Sequence, residues 1–265
     1  MINFIQFPYP MPNYSVQEVT NIQDYVALIE KIKTNSENKG NKTDLVFRGQ
    51  NSDNPLLPKL ARLTLKGEIT NIEKLMLEEF KRGILPLSEF QPTNNWDLLA
   101  LAQHHGLPTR LLDWTYSALV ALWFTVSRPA KTDKNNIPLN GVVWILNAEV
   151  EDFRTKTDKI DPLSNKITKI FRSTVVSRRI SAQSGVFTVH KINEGGKMVR
   201  FETHRTFSKK LTKVTIPAGQ FAAIRKQLHI MGINNSSVFP DIDGYCKHLE
   251  WRYSKMADEI INVKK

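Results

Sequence analysis

Residues 117–126, SALVALWFTV, are apolar on every side of any helix they can form. Such a helix has no face to offer water and must be buried, in a membrane or between the layers of a folded core. A membrane span needs roughly 20 consecutive apolar residues, and this run is about half that length. The segment therefore reads as the central helix of a core, and its neighbours supply the rest of that core. TRLLDWT, residues 109–115, is short and extended in front of it, and GVVWILN, residues 141–147, reads as a strand behind it. DLVFRGQ, residues 44–50, reads as a buried strand leaving its sheet.

The remaining periodicities fit an α+β protein. Val19, Ile22, Val26, Ile29 and Ile32 recur at helical spacing within residues 17–34. Residues 69–90 do the same around Ile72, Leu75, Met76, Phe80 and Leu85, with a break near Gly83. WDLLALAQHH, residues 96–105, is a helix stopped by Gly106 and Pro108. Residues 151–179 are polar and weakly patterned, which predicts long loops with a short helix near Ile167. GVFTVH and KLTKVTI read as strands, followed by helices over 218–231 and 241–252. The expectation is a single α+β domain with a helical N-terminal part and a mixed or antiparallel sheet. It spans residues 17–255, between an extension at 1–16 and a tail at 256–265.

Of the 265 residues, 37 are Lys or Arg against 26 Asp or Glu, a formal charge of +11. The basic residues crowd between Lys156 and Lys213, which predicts contact between region 156–213 and an anionic partner, nucleic acid being the expected one. The one cysteine, Cys246, excludes an internal disulfide and a cysteine-based zinc cage, and is expected to be a buried structural thiol. The N-terminal residues have no basic segment ahead of an apolar one, so the expected location is cytoplasmic, away from membranes. There is no P-loop, no G-x-S-x-G elbow and no carboxylate cluster for a two-metal nuclease. His104 and His105 diverge by about 100° on a helix and cannot share one metal, so no metal is expected. Asp241 and Asp243 read as the start of the last helix, with an N-cap role.

Two segments carry chemistry. In Phe47-Arg48-Gly49-Gln50, the strand end can hold a guanidinium at the mouth of a cleft, and Gly49 lets the backbone turn and a ligand approach. Arg48 is a natural donor to phosphate or carboxylate, and an ion pair with a nearby Asp is the competing role. The run 103–124 gathers His104, His105, Thr109, Arg110, Asp113, Trp114 and Thr115 between two apolar helices, the composition of a cleft wall. Its structural alternative pairs Asp113 with Arg110 and buries Trp114. These residue types also suit a metal-independent ribonuclease, with His104 or His105 as base and Arg48 and Arg110 on the phosphate. A non-catalytic nucleotide or nucleic-acid binder would use the same cleft.

FRGQ, HHGLPTRLLDWT with its apolar helix, AQSGVF at 182–187 and VFPDIDGYCKHLEW near the end together resemble the FRG domain family. The likeness runs over residues 20–252. The family takes its name from a Phe/Tyr-Arg-Gly signature, and the resemblance implies a bacterial or phage-associated setting of toxin or defence function.

The order of elements also resembles ADP-ribosyltransferases of the Arg-Ser-Glu type. Arg48 matches their first Arg, and Asp113-Trp114-Thr115 lies where a Ser-Thr-Ser-like triplet would be. Ala121 and Phe124 match an A-x-x-F helix, and Gln183-Ser184-Gly185 falls where the catalytic loop enters its strand. The resemblance implies NAD or a related nucleotide as ligand, with ADP-ribose transferred to a nucleic-acid or protein acceptor. Arg48 would hold the pyrophosphate, with Gly49, Thr109, Arg110 and Thr115 around the nucleotide. No glutamate lies between Asp152 and Glu194 to match that family's acid. Gln183 can bind a ribose hydroxyl without supplying charge, and Asp113 is the acid that would substitute. The expected catalytic set is Arg48, Asp113, Gln183 and His105.

Overall fold

The structure, a computed structural model, describes residues 13–38, 40, 42–87, 92–155, 160–173 and 181–260. Its strands are β1 (Ser15–Glu18), β2 (Thr43–Gln50), β3 (Leu111–Thr115), β4 (Gly141–Glu149), β5 (Lys169–Phe171), β6 (Gly185–Val189) and β7 (Leu211–Ile216). Its α-helices are α1 (Ile22–Glu37), α2 (Ile69–Gly83), α3 (Asn95–His104), α4 (Ala118–Val126), α5 (Phe221–Ile230), α6 (Asn235–Val238), α7 (Ile242–Tyr253) and α8 (Ala257–Ile260). The described strands form one sheet in the order β1-β7-β4-β2-β3-β6-β5. Only β1 and β7 pair in parallel, so the fold is α+β with a mixed, largely antiparallel sheet.

The sheet is closed on both sides and open in the middle. β2 pairs with β4 along its whole length, from Thr43 opposite Glu149 to Gln50 opposite Val142. β3 pairs fully with β6, from Leu111 opposite Val189 to Thr115 opposite Gly185. Between β2 and β3 the register holds one pair, Phe47 opposite Thr115. Beyond it the strands splay.

One face carries the helices. Val120, Ala121, Leu122, Trp123 and Val126 of α4 pack with α1, α5 and the sheet residues Phe47, Val143, Ile145, Val214 and Ile216. Beside them Leu77 of α2 and Leu98 and Leu99 of α3 pack on Leu111, Phe187 and Val189. The other face buries Val46, Trp114, Trp144 and Leu146 under Leu56, Phe201 and Phe207. No described helix is long and apolar enough to cross a membrane.

The structure departs from the sequence reading at four places. Residues 15 and 16 of the expected extension belong to β1, which pairs with β7 from Ser15 opposite Thr212. Residues 169–171 form a strand where loops and a short helix near Ile167 were expected. Ile170 and Phe171 are buried there, and three residues are too few to show a period. At the other end, Asp258 and Glu259 of α8 bind Arg225, which anchors part of the expected tail. Asp241 caps α7 as the sequence implies, its side chain accepting from Gly244 N at 2.9 Å. Cys246 lies on that helix but is exposed, because it faces away from the core.

Candidate ligand-binding cleft

Where β2 and β3 part, a cleft of about 370 Å³ opens, lined by Arg48, Gly49, Gln103, His104, Asp113, Thr115, Gln183, Phe124 and Phe239, among others. Its walls follow from the local sequence. α3 ends at Gly106, whose φ of 87° only glycine adopts readily, and the last turn leaves Gln103 and His104 at the rim. α4 starts with Ser117 as N-cap, its hydroxyl accepting from Val120 N, which sets the helix close behind β2.

Arg48 sits at the split. Side chains alternate along β2, so Val46 and Arg48 start on the face opposite Phe47. From there the Arg48 Nη1 donates to the Asp113 carbonyl oxygen on β3 at 2.7 Å. This bond spans the gap that the backbone ladder leaves. Nη1 is also 3.9 Å from the Asp113 carboxylate, which is 56% exposed. The Arg48 Nε is buried with no hydrogen-bond partner among the described residues. Burial pulls the Arg48 pKa below the usual arginine value, with Asp113 acting against that and Arg62 adding to it. On the same side, burial first, then the nearby charges of His204 and Arg48, bring the His190 pKa down to about 3, against a backbone hydrogen bond with Val199. This neutral ring contacts the Thr188 hydroxyl, which accepts from the Trp114 indole N–H at 3.1 Å and fixes β3 from behind.

Asp113 is held as an acceptor. The Gln103 Nε2 donates to both of its carboxylate oxygens, at 3.2 and 3.1 Å. Gln103 is itself oriented by the Thr109 hydroxyl, which donates to its Oε1 at 2.7 Å. Thr115 donates to the Gln183 carbonyl and accepts from Ser117 N, tying β3, α4 and the 181–184 turn together. Gln183 donates its side-chain amide to the Val238 carbonyl at 3.2 Å. Phe124 and Phe239 meet edge to face with centroids 6.1 Å apart.

The cleft thus brings together Arg48, Gly49, Asp113, Thr115 and Gln183. Three other expected site residues fall elsewhere. His105 is exposed and lies outside the cleft lining, while its neighbour His104 lines it, since adjacent helical residues diverge. Thr109 is buried behind Gln103 and acts through it. Arg110 is buried against Glu73, with Nη2 2.6 Å from a carboxylate oxygen, and its Nη1 donates to the carbonyls of Pro162 and Leu163. It pairs with neither Asp113 nor any group in the cleft, and a phosphate there cannot reach it. That placement removes Arg110 and His105 from the ribonuclease scheme. Gly49 is required by packing, because a Cβ on it would lie 1.8 Å from the Ala121 carbonyl oxygen of α4. It sits within β2 and makes no turn.

Gln103 and Phe124 bound the run expected as a cleft wall without being singled out in it, and Phe239 was not expected in the cleft. Gln103 stands beside the two histidines in the sequence and Phe124 closes the A-x-x-F helix, so proximity to a motif was the available signal. Phe239 comes from a distant segment, and its one signal was its place in the VFPDIDGYCKHLEW stretch that carries the family resemblance.

Region 156–213 is partly neutralised. Arg172 pairs with Asp44, Lys210 with Glu149 and Asp152, and Lys213 with Asp53. Lys156, Lys159, Arg178 and Arg179 lie outside the described residues.

Residues 43–134 match the family model of the FRG domain, a span that carries both strands of the split, α2, α3 and α4. No curated protein and no solved structure matches the chain.

Proposed function

From the FRG domain present at residues 43–134, we propose that its cleft binds a phosphate-bearing nucleotide, NAD or a close relative, with Arg48 on the phosphates. The observation that carries this reading is the Arg48 guanidinium. Nη1 is committed to β3, whereas Nε is buried without a partner. Arg48 lines the cleft, and among the described residues its charge is met there only by the open 3.9 Å contact with Asp113, so a phosphate entering the cleft would find an attractive guanidinium. Around it stand the groups a nucleotide uses: the Phe124 and Phe239 rings for a base, and the Gln183 and Asp113 side chains for ribose hydroxyls. These residues would suit NAD as a ligand, and the resemblance of the element order in the sequence to that of ADP-ribosyltransferases supports it.

Bound NAD would supply an electron-poor ribosyl carbon for transfer. Asp113 is the carboxylate in the cleft lining, and the Gln103 amide holds it in place. Its charge would favour cationic character developing on the ribose, the part that the glutamate plays in the ADP-ribosyltransferases the sequence resembles.

The test is calorimetric titration of NAD and ADP-ribose into the folded protein and into Arg48→Lys. Lysine keeps the charge and loses the fork, so affinity should fall tenfold or more while the melting temperature stays within a few degrees. No binding at millimolar ligand by the folded wild-type protein would sink the reading.

A further inference from the structure

A second groove, of about 600 Å³, runs alongside the cleft and shares Phe124 and Phe239 with it. We propose that this groove seats a single-stranded nucleic acid, the acceptor presented to the cleft. The acceptor role rests on the nucleotide reading of the cleft; binding of the strand does not.

Charge carries the inference. Arg128 and Lys131, just past α4, and Lys247 and Lys255, on and after α7, line the groove, with Glu250 as the one carboxylate among the lining residues. None of the four cations has an ion pair among the described residues, in contrast to Arg172, Lys210 and Lys213. The carboxylates nearby do not compensate them. Asp258 and Glu259 are both taken by Arg225, at 2.6 and 3.2 Å. Four like charges facing one cavity repel one another, and a polyanion relieves that repulsion.

The aromatic lining selects the kind of polyanion. Trp251 lines the groove with its indole N–H tied to Glu259 at 3.0 Å and its ring against His229, so its plane is fixed. Phe124 and Phe239 form the boundary with the cleft. A basic channel with interleaved rings suits a strand whose bases are unstacked, because every base has a face to stack. A duplex keeps its bases inside and would leave these rings unused. A strand lying here would place one nucleotide beside Phe239, at the mouth of the Arg48 cleft.

The experiment is fluorescence anisotropy of a labelled dT12 strand with the full chain over a range of salt. The same measurement is made on a variant with Arg128, Lys131, Lys247 and Lys255 changed to Ser. Four lost phosphate contacts should make the slope of log K against log salt shallower by about three units. An abasic strand of equal length should bind at least tenfold more weakly to the wild-type protein. An unchanged slope, or no binding at low salt, overturns the proposal. So does an abasic strand that binds as well as dT12, which would leave the rings unused, or polyglutamate that does, which would make the partner an acidic polypeptide. Should the fourfold variant not fold, Lys247→Ser with Lys255→Ser, both exposed, should remove about half of the slope difference. NAD titration on the same variants separates the two readings: strand binding without NAD binding defeats the cleft proposal alone, and NAD binding without strand binding defeats this one.

Discussion

Arg48 and Arg110 stand in the two segments of the chain richest in chemistry, each beside an acid, and the fold uses them in opposite ways. The Arg110–Glu73 pair is closed at 2.6 Å with both side chains 1% exposed. Glu73 also accepts the Arg110 backbone N–H, and the remaining guanidinium donors reach backbone carbonyls. Each guanidinium nitrogen has a partner, and the side chain is buried away from the cleft. The Arg48–Asp113 pair is open at 3.9 Å, with the carboxylate 56% exposed and an Arg48 donor unanswered. A buried arginine whose hydrogen bonds are complete stiffens a fold, and one left incomplete at a gap in a sheet is available for binding.

The largest effect should come from breaking the closed pair. Arg110→Ala leaves Glu73 buried without its partner and should cost about 3–5 kcal/mol, read by denaturant unfolding. If the loss is under about 1 kcal/mol, the pair is not structural and the contrast collapses. Gly49 stands next to Arg48 yet belongs with Arg110 in this comparison. Gly49→Ala drives a Cβ into the Ala121 carbonyl and should cost about 1–3 kcal/mol, since α4 must move off β2. A variant as stable as the wild type would show that α4 yields freely. The smallest effect should come from Asp113→Asn. Its exposed, screened contact with Arg48 implies a stability change below about 1 kcal/mol. ADP-ribosyl transfer from NAD, assayed on the strand, should drop by tenfold or more, because the amide cannot supply charge. A large fall in melting temperature with full transfer would reverse the assignment.

Much of this contrast was legible before the structure, and part of it was not. Arg48 and Asp113 were singled out because charged residues interrupt apolar runs there, and interruption is visible in a sequence. Arg110 interrupts a run in the same way, and only position in space separates it from Arg48. Its partner, Glu73, lies on α2 and is the one carboxylate among the described residues that reaches it. Phe239 and Lys247 come to the cleft and groove from α6, α7 and the turn between them, over a hundred residues from Arg48. No local pattern announces such a meeting.

By itself, the sequence determined the element types that rest on periodicity and apolarity. The buried helix at 118–126, the strands around it and the end of α3 at Gly106 all follow from which faces can meet water and which backbone angles each residue allows. The tertiary structure alone decided that β2 and β3 share a single pair and then part. Strand pairing is a balance of many contacts remote in sequence, here between strands about 60 residues apart with α2 and α3 between them. That parting leaves one arginine of the two lining a cleft and the other closed on its carboxylate.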